Sequence, residues 1–213
     1  DWAAAETGYE RAKELNPNYA TTYHWQAFYL LMMNRVEDAT VSARRALELD
    51  PLSLIINTDV GWCLYYARQY DEAIAQYRKT LELDSLFAPA KYDLAQVQVQ
   101  LGLFEEAIDL LESLPDHPYD GVLGHAYALA GRRDDATRVL DELKRRSQGQ
   151  YVSPVQFAMV YAGLGETDET FFWLGRAFEE RSPIMAYLRV EPWFDPLRSD
   201  PRFEDLLQRL NIP

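Results

Sequence analysis

The sequence has few of the residues that mark disulfide-stapled scaffolds, metalloproteins and membrane proteins. Its 213 residues include a single cysteine, Cys63, which has no partner for an internal disulfide. The three histidines, His24, His117 and His125, lie far apart and form no pair at helical spacing that would hold a metal. No run of about 18 apolar residues predicts a membrane-spanning helix, and the acidic start does not resemble a signal peptide. We therefore expect no cofactor, no metal and a cytoplasmic location, or a periplasmic one if the parent chain has a membrane span upstream.

Basic residues are also scarce relative to acidic ones. Lysine and arginine number 21 against 34 aspartates and glutamates, which gives a net charge of −13. This balance argues against direct binding to nucleic acid or to an anionic membrane, because both require a basic face. The strongest basic cluster, Lys144-Arg145-Arg146, is expected at a helix end, where cations stabilise the terminal carbonyl groups. Glycines occur singly, so no phosphate-binding loop is present, and the residues predict a chain that is not an enzyme.

Apolar residues, by contrast, make up 48% of the chain, and the pattern in which they occur is periodic. A pair of residues that is mostly acidic precedes a small residue at intervals of 34, 34, 29 and 34 residues. The small residues of this column are Ala39, Ala73, Ala107, Ala136 and Thr170. Reading back by the same interval from Ala39 reaches Ala5. The chain is therefore predicted to be a tandem repeat.

Each copy reads as two helices joined by a tight turn. Apolar residues at helical spacing, such as Ala27 and Leu30 in one copy, give each helix one apolar stripe. A column of residues between the two helices is rich in glycine, which tolerates the left-handed conformation that ends a helix. Its members are Asn34, Arg68, Gly102, Gly131 and Gly165. Arg68 is the exception and is expected either to be strained or to need a different turn. The acidic pairs then fall in the first turn of the second helix, where carboxylates meet the positive end of the helix dipole.

These residues resemble the tetratricopeptide repeat family, whose unit is a helix pair of 34 residues. The second copy carries the resemblance best, with Asn57, Val60, Gly61, Leu64, Ala73 and Tyr77. The resemblance implies an all-α fold, a right-handed superhelical solenoid of helix pairs. It divides the chain into a half repeat over 1–17, five helix pairs up to residue 181, and a C-terminal capping segment over 182–213. The short step between the third and fourth copies predicts that a helix ends early near Pro115-Asp-His-Pro118.

The final segment breaks the period, and it is expected to cover the apolar face that ends the array. Asp200 and Pro201 predict the start of a last helix, with aspartate as its cap. From Tyr151 onward the chain also resembles the C-terminal tetratricopeptide regions of bacterial multidomain signalling and transcription-regulatory proteins. At the other end, the helix of Ala5 has no hairpin partner. We expect this chain to be a fragment of a longer protein, or else to pair through that face as a homodimer.

A binding groove is predicted on the first helices, whose inward rows recur at the repeat period. Aromatic side chains with hydrogen-bonding tips are frequent in these rows, as they are in peptide-binding surfaces. The predicted site residues are His24, Phe28, Thr58, Trp62, Tyr65, Tyr66, Tyr92, Gln96, Gln100 and His125. The alternative is that Trp62 and Tyr65 pack between neighbouring hairpins. The lysines and asparagines with which some tetratricopeptide proteins grip a chaperone's terminal carboxylate are absent from these rows.

The sequence thus predicts a non-enzymatic scaffold that binds a peptide or a helix of a protein partner. The family resemblance further implies that the chain is the regulatory or sensor part of a longer bacterial protein and is connected to an effector domain. Two alternatives stay open: a structural or self-associating region without an external ligand, and a sensor of a small molecule or peptide.

Overall fold

The computed structural model describes residues 2–114 and 120–211. Within these ranges the chain forms twelve α-helices and two short 3₁₀ helices, and no strand. The α-helices are α1 (Trp2–Leu15), α2 (Ala20–Met32), α3 (Val36–Leu49), α4 (Leu54–Tyr66), α5 (Tyr70–Leu83), α6 (Ala88–Gln100), α7 (Phe104–Glu112), α8 (Asp120–Leu129), α9 (Arg133–Ser147), α10 (Pro154–Gly163), α11 (Thr167–Glu179) and α12 (Pro201–Leu210). The all-α prediction is confirmed.

The chain divides into two compact units, Asp1–Val97 and Gln98–Pro213, with the division inside α6. In the first unit, α2 packs on α3 and α4 packs on α5, which forms the predicted hairpins. In the second unit, α8 pairs with α9 and α10 pairs with α11. α7 ends at Glu112 after nine residues, whereas α3 and α5 have 14 each. The proline stop predicted at 115–118 lies outside the described residues.

The turn inside each hairpin adopts the predicted left-handed backbone. Asn34 and Arg68 have φ values of 57° and 60°, and the three glycines of the column have values of 73° to 77°. After α2, the N–H of Arg35 donates to the carbonyl of Leu30 at 2.8 Å, and that of Asn34 donates to Leu31 at 3.0 Å. This pair of bonds is a Schellman motif, which satisfies carbonyl groups at the end of the helix. Arg68 makes the same left-handed turn without being glycine, so the different turn considered for it is not observed.

Small residues let the two helices of a hairpin approach closely. Gly61 of α4 faces the ring of Tyr77 on α5, and a Cβ added at Gly61 would lie 2.5 Å from Cε1 of that ring. Tyr77 is fully buried, so its ring has no solvent-filled space into which it could move. Cys63 is buried in the same hairpin, and burial raises the pKa of its thiol. A buried thiol of this kind packs as a small apolar core side chain rather than acting as a nucleophile.

The acidic pairs stand at helix starts, as predicted. Glu37 and Asp38 lie in the first turn of α3, and Asp71 and Glu72 lie in the first turn of α5. All four side chains are exposed. They are therefore placed to stabilise helix ends through the dipole rather than to act as a buried catalytic pair.

α1 packs its aromatic side chains on α2. The ring of Tyr29 lies 5.5 Å from that of Tyr9 and 6.4 Å from that of Trp2, measured between centroids. Trp2 and Tyr9 are half-buried by these contacts, whereas Gly8 is exposed. An open cleft of about 400 Å³ runs beside them, with Ala5 among its lining residues. Pairing of two chains through this face stays a prediction.

The capping segment begins with two 3₁₀ helices, Pro183–Tyr187 and Pro192–Leu197, and ends with α12. Asp200 caps α12 by accepting a hydrogen bond from the N–H of Arg202 at 2.9 Å, which confirms the predicted helix start. The guanidinium of Arg202 stacks 4.2 Å from the ring centroid of Phe171 on α11, and Arg209 stacks 4.4 Å from Phe178. α12 therefore covers apolar surface of α11, as a terminal cap does.

Candidate functional site

The predicted site residues separate into two groups in the structure. All of them except Gln100 and His125 lie in the first unit. The residues of this first group lie on α2, α4 and the first part of α6. We call the surface that carries them the site face.

A run of ring contacts crosses the site face from α2 to α4. The ring of Phe28 lies 5.4 Å from that of Trp25 and 4.9 Å from that of Trp62, and Trp62 meets Tyr66 edge-on at 4.7 Å. We call Trp25, Phe28, Trp62 and Tyr66 the aromatic strip. Trp25 is 54% exposed, Phe28 and Trp62 are half-buried, and Tyr66 is buried. Three rings of the strip are therefore accessible, and the fourth supports them.

Six of the ten predicted binding residues are buried, and their assignment to an open surface needs correction: His24, Thr58, Tyr65, Tyr66, Gln96 and His125. Tyr65 is only 1% exposed, because its ring packs against Tyr66 and against Tyr70 of α5 at centroid distances of 5.3 and 6.1 Å. Thr58 is buried, and its hydroxyl donates to the carbonyl of Leu54 at 2.8 Å. Tyr66 is buried as well. Packing between helices, the alternative considered for Trp62 and Tyr65, thus describes Tyr65. Trp62 also packs against Phe28 of the neighbouring hairpin but is only half-buried.

His24 is buried beside the strip and pairs with a carboxylate of the next first helix. Its Nε2 contacts Oδ2 of Asp59, and its ring meets that of Phe28 edge-on at 5.2 Å. Burial raises the pKa of Asp59, and the hydrogen bond from His24 partly offsets this effect. The pair links α2 to α4 next to Phe28, and it therefore helps to hold together the two helices that carry Phe28 and Trp62.

Tyr92 and Gln96 continue the predicted rows onto α6. Tyr92 is half-buried and Gln96 is buried, and the amide of Gln96 donates to Oδ1 of Asp93 at 2.8 Å. Sequence reasoning missed Trp25, Asp59 and Asp93. These three residues are separated by 34 residues each, so stepping from one position further along the helix would have found them.

In the second unit, Gln100 and His125 line one cleft of about 360 Å³, together with residues of the capping segment. The ring of Trp193 meets His125 edge-on at 4.8 Å. Nδ1 of His125 donates to the carbonyl of Met159 at 2.7 Å, and burial lowers the pKa of this imidazole to about 4. His125 is therefore a neutral, buried side chain over which the chain's own segment folds. The sequence pattern gave no signal for Trp193 at this place.

The described residues offer no metal-binding cluster. No group of His, Cys, Asp and Glu among residues 2–114 and 120–211 could hold a metal ion. The basic residues of the α9 end are paired, Arg145 with Glu142 and Arg146 with Asp120, which agrees with a structural role at the helix end. No helix in the described part of the chain is long and apolar enough to cross a membrane.

Comparison with sequence families identifies tetratricopeptide repeats in the middle of the chain. Two tetratricopeptide repeat families match, one over residues 64–121 and the other over residues 118–142. The tetratricopeptide repeat is a non-catalytic scaffold in its family, which is consistent with the prediction that the chain is not an enzyme.

Solved structures of repeat proteins share the fold. PilW, described as a widely conserved type IV pilus biogenesis factor, superposes with a TM-score of 0.65 at 19% identity, over 92% of this chain and 90% of its own. PilF of Pseudomonas aeruginosa gives 0.58 at 16% identity, over 88% of each chain. MamA gives 0.57 at 22% identity, over 70% of this chain and 92% of its own. At these identities the likeness shows the all-α tetratricopeptide fold and nothing about the ligand.

Curated relatives match about half of the chain. The peroxisomal targeting signal receptor of Kluyveromyces lactis is 31% identical over 103 residues, which is 48% of this chain and 17% of the receptor. Small glutamine-rich tetratricopeptide repeat-containing protein 2 of Mycosarcoma maydis is 30% identical over 101 residues, 47% of this chain and 29% of its own. The matched region thus spans less than a third of the length of either relative. The predicted likeness to bacterial regulatory proteins is not among these findings and stays a prediction.

Proposed function

We propose that the chain is a protein-interaction module and that the site face of its first unit binds a peptide or a helix of a partner. The observation that carries this proposal is the aromatic strip. Trp25 is more than half exposed, and it continues through Phe28 to Trp62 without a gap in ring contact. Exposed, adjoining aromatic rings are the side chains that contribute most to binding energy in protein interfaces.

The strip is also held in place before any partner arrives. His24 and Asp59 join α2 to α4 next to Phe28, and the buried Tyr66 supports Trp62 from one side. Side chains that are already ordered lose little conformational entropy on binding, so more of the contact energy appears as affinity. This support favours a binding role over a merely structural role for the strip.

The relatives are consistent with this role. The Kluyveromyces lactis protein is named a receptor for a targeting signal, and it aligns with this chain over 103 residues. Within the proposal, the partner is a protein, and the module serves a longer protein as its regulatory or sensor part. An effector domain in the same longer protein is a further element of this proposal.

A peptide-display selection tests the proposal with peptides of random sequence. The library is selected on the immobilised chain, and enriched peptides are then measured against the purified wild type and Trp62→Ala. We expect peptides that bind the wild type and lose at least about tenfold in affinity with Trp62→Ala, as is usual for a central aromatic contact.

The matched control is Tyr151→Ala, which removes another exposed aromatic ring, 69% exposed and outside the site face. Peptides should bind this variant as they bind the wild type. The proposal is wrong if no peptide is enriched, or if the enriched peptides bind Trp62→Ala and the wild type equally well.

The second-unit cleft favours a second candidate function, recognition of a small molecule. It combines the neutral imidazole of His125 with the ring of Trp193 and the amide of Gln100. An apolar pocket with a few polar groups is the usual form of a small-molecule site. A thermal-shift screen of small aromatic and amide compounds tests this reading, and hits should lose their effect in Gln100→Ala. If a compound still stabilises this variant, it binds at a site other than the second-unit cleft.

A further inference from the structure

The row of Phe28 and Trp62 in the site face has counterparts in the second unit. His125 and Met159 occupy the same position in later first helices, at the intervals of the repeat. Nδ1 of His125 donates to the carbonyl of Met159 at 2.7 Å, so neighbouring first helices meet along this row, as they do at the ring contact between α2 and α4. His125 and Met159 are only 5% and 7% exposed, whereas the two rings of the first unit are half-buried. The same row is therefore closed in the second unit and more accessible in the first.

The segment that lies over this row in the second unit is the second 3₁₀ helix of the cap, Pro192–Leu197. We call it the Trp193 turn. The ring of Trp193 meets that of His125 edge-on at 4.8 Å, and the turn packs on α10, the helix that carries Met159. Trp193 is itself only 3% exposed. The chain thus seats one of its own tryptophans on a row whose equivalent in the first unit is aromatic.

A second row supports this placement. Gln100 and Leu129 occupy the repeat position of Tyr66, at steps of 34 and then 29 residues. Both line the second-unit cleft together with Pro192 and Leu197 of the Trp193 turn. The turn therefore lies along the two rows that carry three of the four members of the aromatic strip in the first unit.

Two prolines give the Trp193 turn its shape. Pro192 stands at the start of the 3₁₀ helix, and Pro196 lies inside it. Each proline ring fixes φ at about −65°, so the free segment has fewer conformations to lose. Arg198 closes the turn, because its guanidinium donates to the carbonyls of Arg189 and Glu191 at 2.8 and 3.2 Å. Residues 189–198 thus contain the bonds and the rings that hold the turn together.

We infer that the site face binds a partner segment of the same kind, a tryptophan that directly follows a proline in one turn of 3₁₀ helix. The inference rests on the proposed function. The tryptophan of the partner packs edge-on against Phe28 and Trp62, as Trp193 packs against His125, an arrangement that aromatic rings favour. A turn that prolines already hold in shape loses little conformational entropy on binding, so a short segment is sufficient.

Synthetic peptides test the inference. The probe is a capped peptide with the sequence of residues 189–198, whose two basic and two acidic side chains cancel, so the net charge of −13 does not attract it. One comparison peptide has alanine in place of tryptophan, and the other has alanine in place of both prolines. Binding to the purified chain is measured by calorimetry. We expect the probe to bind, the tryptophan-free peptide to bind at least about tenfold more weakly, and the proline-free peptide at least about threefold more weakly.

Two further measurements locate the probe on the chain. Trp62→Ala should weaken its binding at least about tenfold, and the control Tyr151→Ala should leave it within about twofold of the wild type. In a nitrogen-15-labelled wild-type chain, the indole signals of Trp25 and Trp62 should shift on addition of the unlabelled probe. The signal of Trp193 should stay in place, because the chain's own turn is not displaced. This spectrum does not depend on the folding of any variant.

The outcomes separate this inference from the proposed function. If the display selection yields peptides that require Trp62 but the probe does not bind at about 1 mM, the proposed function stands and the inference is overturned. The inference is also overturned if the probe binds the wild type and Trp62→Ala equally, if it shifts the signal of Trp193 instead of Trp62, or if either comparison peptide binds as tightly as the probe. If neither the probe nor any library peptide binds, both fail together.

Discussion

Replacing Gly61 by alanine tests how closely the two helices of a hairpin approach. The added Cβ would lie 2.5, 2.7 and 2.9 Å from three ring carbons of Tyr77, distances that real Cβ atoms do not adopt. Tyr77 is fully buried, so relief requires α4 and α5 to separate or the ring to leave its preferred rotamer. Overpacking of this kind costs about 1–3 kcal/mol, and the better helix propensity of alanine returns up to about 1 kcal/mol.

We therefore expect Gly61→Ala to lower the free energy of unfolding by about 1–2 kcal/mol and Gly61→Leu to lower it by about 2–4 kcal/mol. For a chain of this length, the alanine variant should melt about 3–8 °C below the wild type, measured by circular dichroism. Gly175→Ala is the matched control. It is the same change inside helix α11, where a Cβ would meet no atom within 4 Å. The control should gain up to about 1 kcal/mol from helix propensity.

The two alanine variants are thus predicted to change stability in opposite directions. A double variant, Gly61→Ala with Tyr77→Leu, examines the cause, because removing the ring should remove most of the penalty of the added methyl group. A Gly61→Ala protein as stable as Gly175→Ala would refute the reasoning. So would an unchanged penalty in the absence of the Tyr77 ring.

Three further predictions concern the turns, the buried histidine and the cap. The variant Arg68→Gly should be at least about 1 kcal/mol more stable than Arg68→Val in urea unfolding, because the backbone at this position has a φ of 60°. Equal stability of the two variants would contradict the turn assignment. The pKa of His125 is lowered to about 4, so the unfolded chain takes up a proton below about pH 6.5 while the folded chain does not. The free energy of unfolding should therefore fall by up to about 3 kcal/mol from pH 6.5 to pH 4. The variant His125→Gln should lose this part of the pH dependence, and an identical pH dependence in the variant would refute the assignment to His125. A chain ending at Arg181 should expose Phe171 and Phe178 and aggregate in sedimentation experiments, whereas a stable monomer would show that the cap is dispensable.

Local features of the fold could be predicted from the sequence because each has a local cause. The column of Asn34, Arg68 and three glycines marks positions where the backbone must turn left-handed, and all five residues do so. The acidic pairs stand at helix starts because that is where the dipole favours them. Asp200 and Pro201 form a helix start because the aspartate side chain caps the helix and proline suits its first position.

Features that depend on contacts between distant residues could not be predicted in this way. Tyr65 and Trp62 lie three residues apart on one helix, but Tyr65 is buried, with Tyr70 of the next helix among its contacts, whereas Trp62 is only half-buried. The contact of Trp193 with His125 joins an aperiodic segment to a repeat, so no column of the repeat contains it. Asp59 was missed for a simpler reason, since the rows considered began one position away from it.

Nuclear magnetic resonance of the indole N–H groups tests the central claim most directly. The chain has five tryptophans, and in a nitrogen-15-labelled sample each gives one indole signal that is assigned by single substitution. An unlabelled peptide enriched by the display selection is then titrated into the sample. The account predicts that the signals of Trp25 and Trp62 shift together with one saturation curve, while those of Trp173 and Trp193 stay in place. Signals of Trp25 and Trp62 that do not move, or saturable shifts confined to Trp173 and Trp193, would contradict the claim that the aromatic strip of the first unit is the binding site.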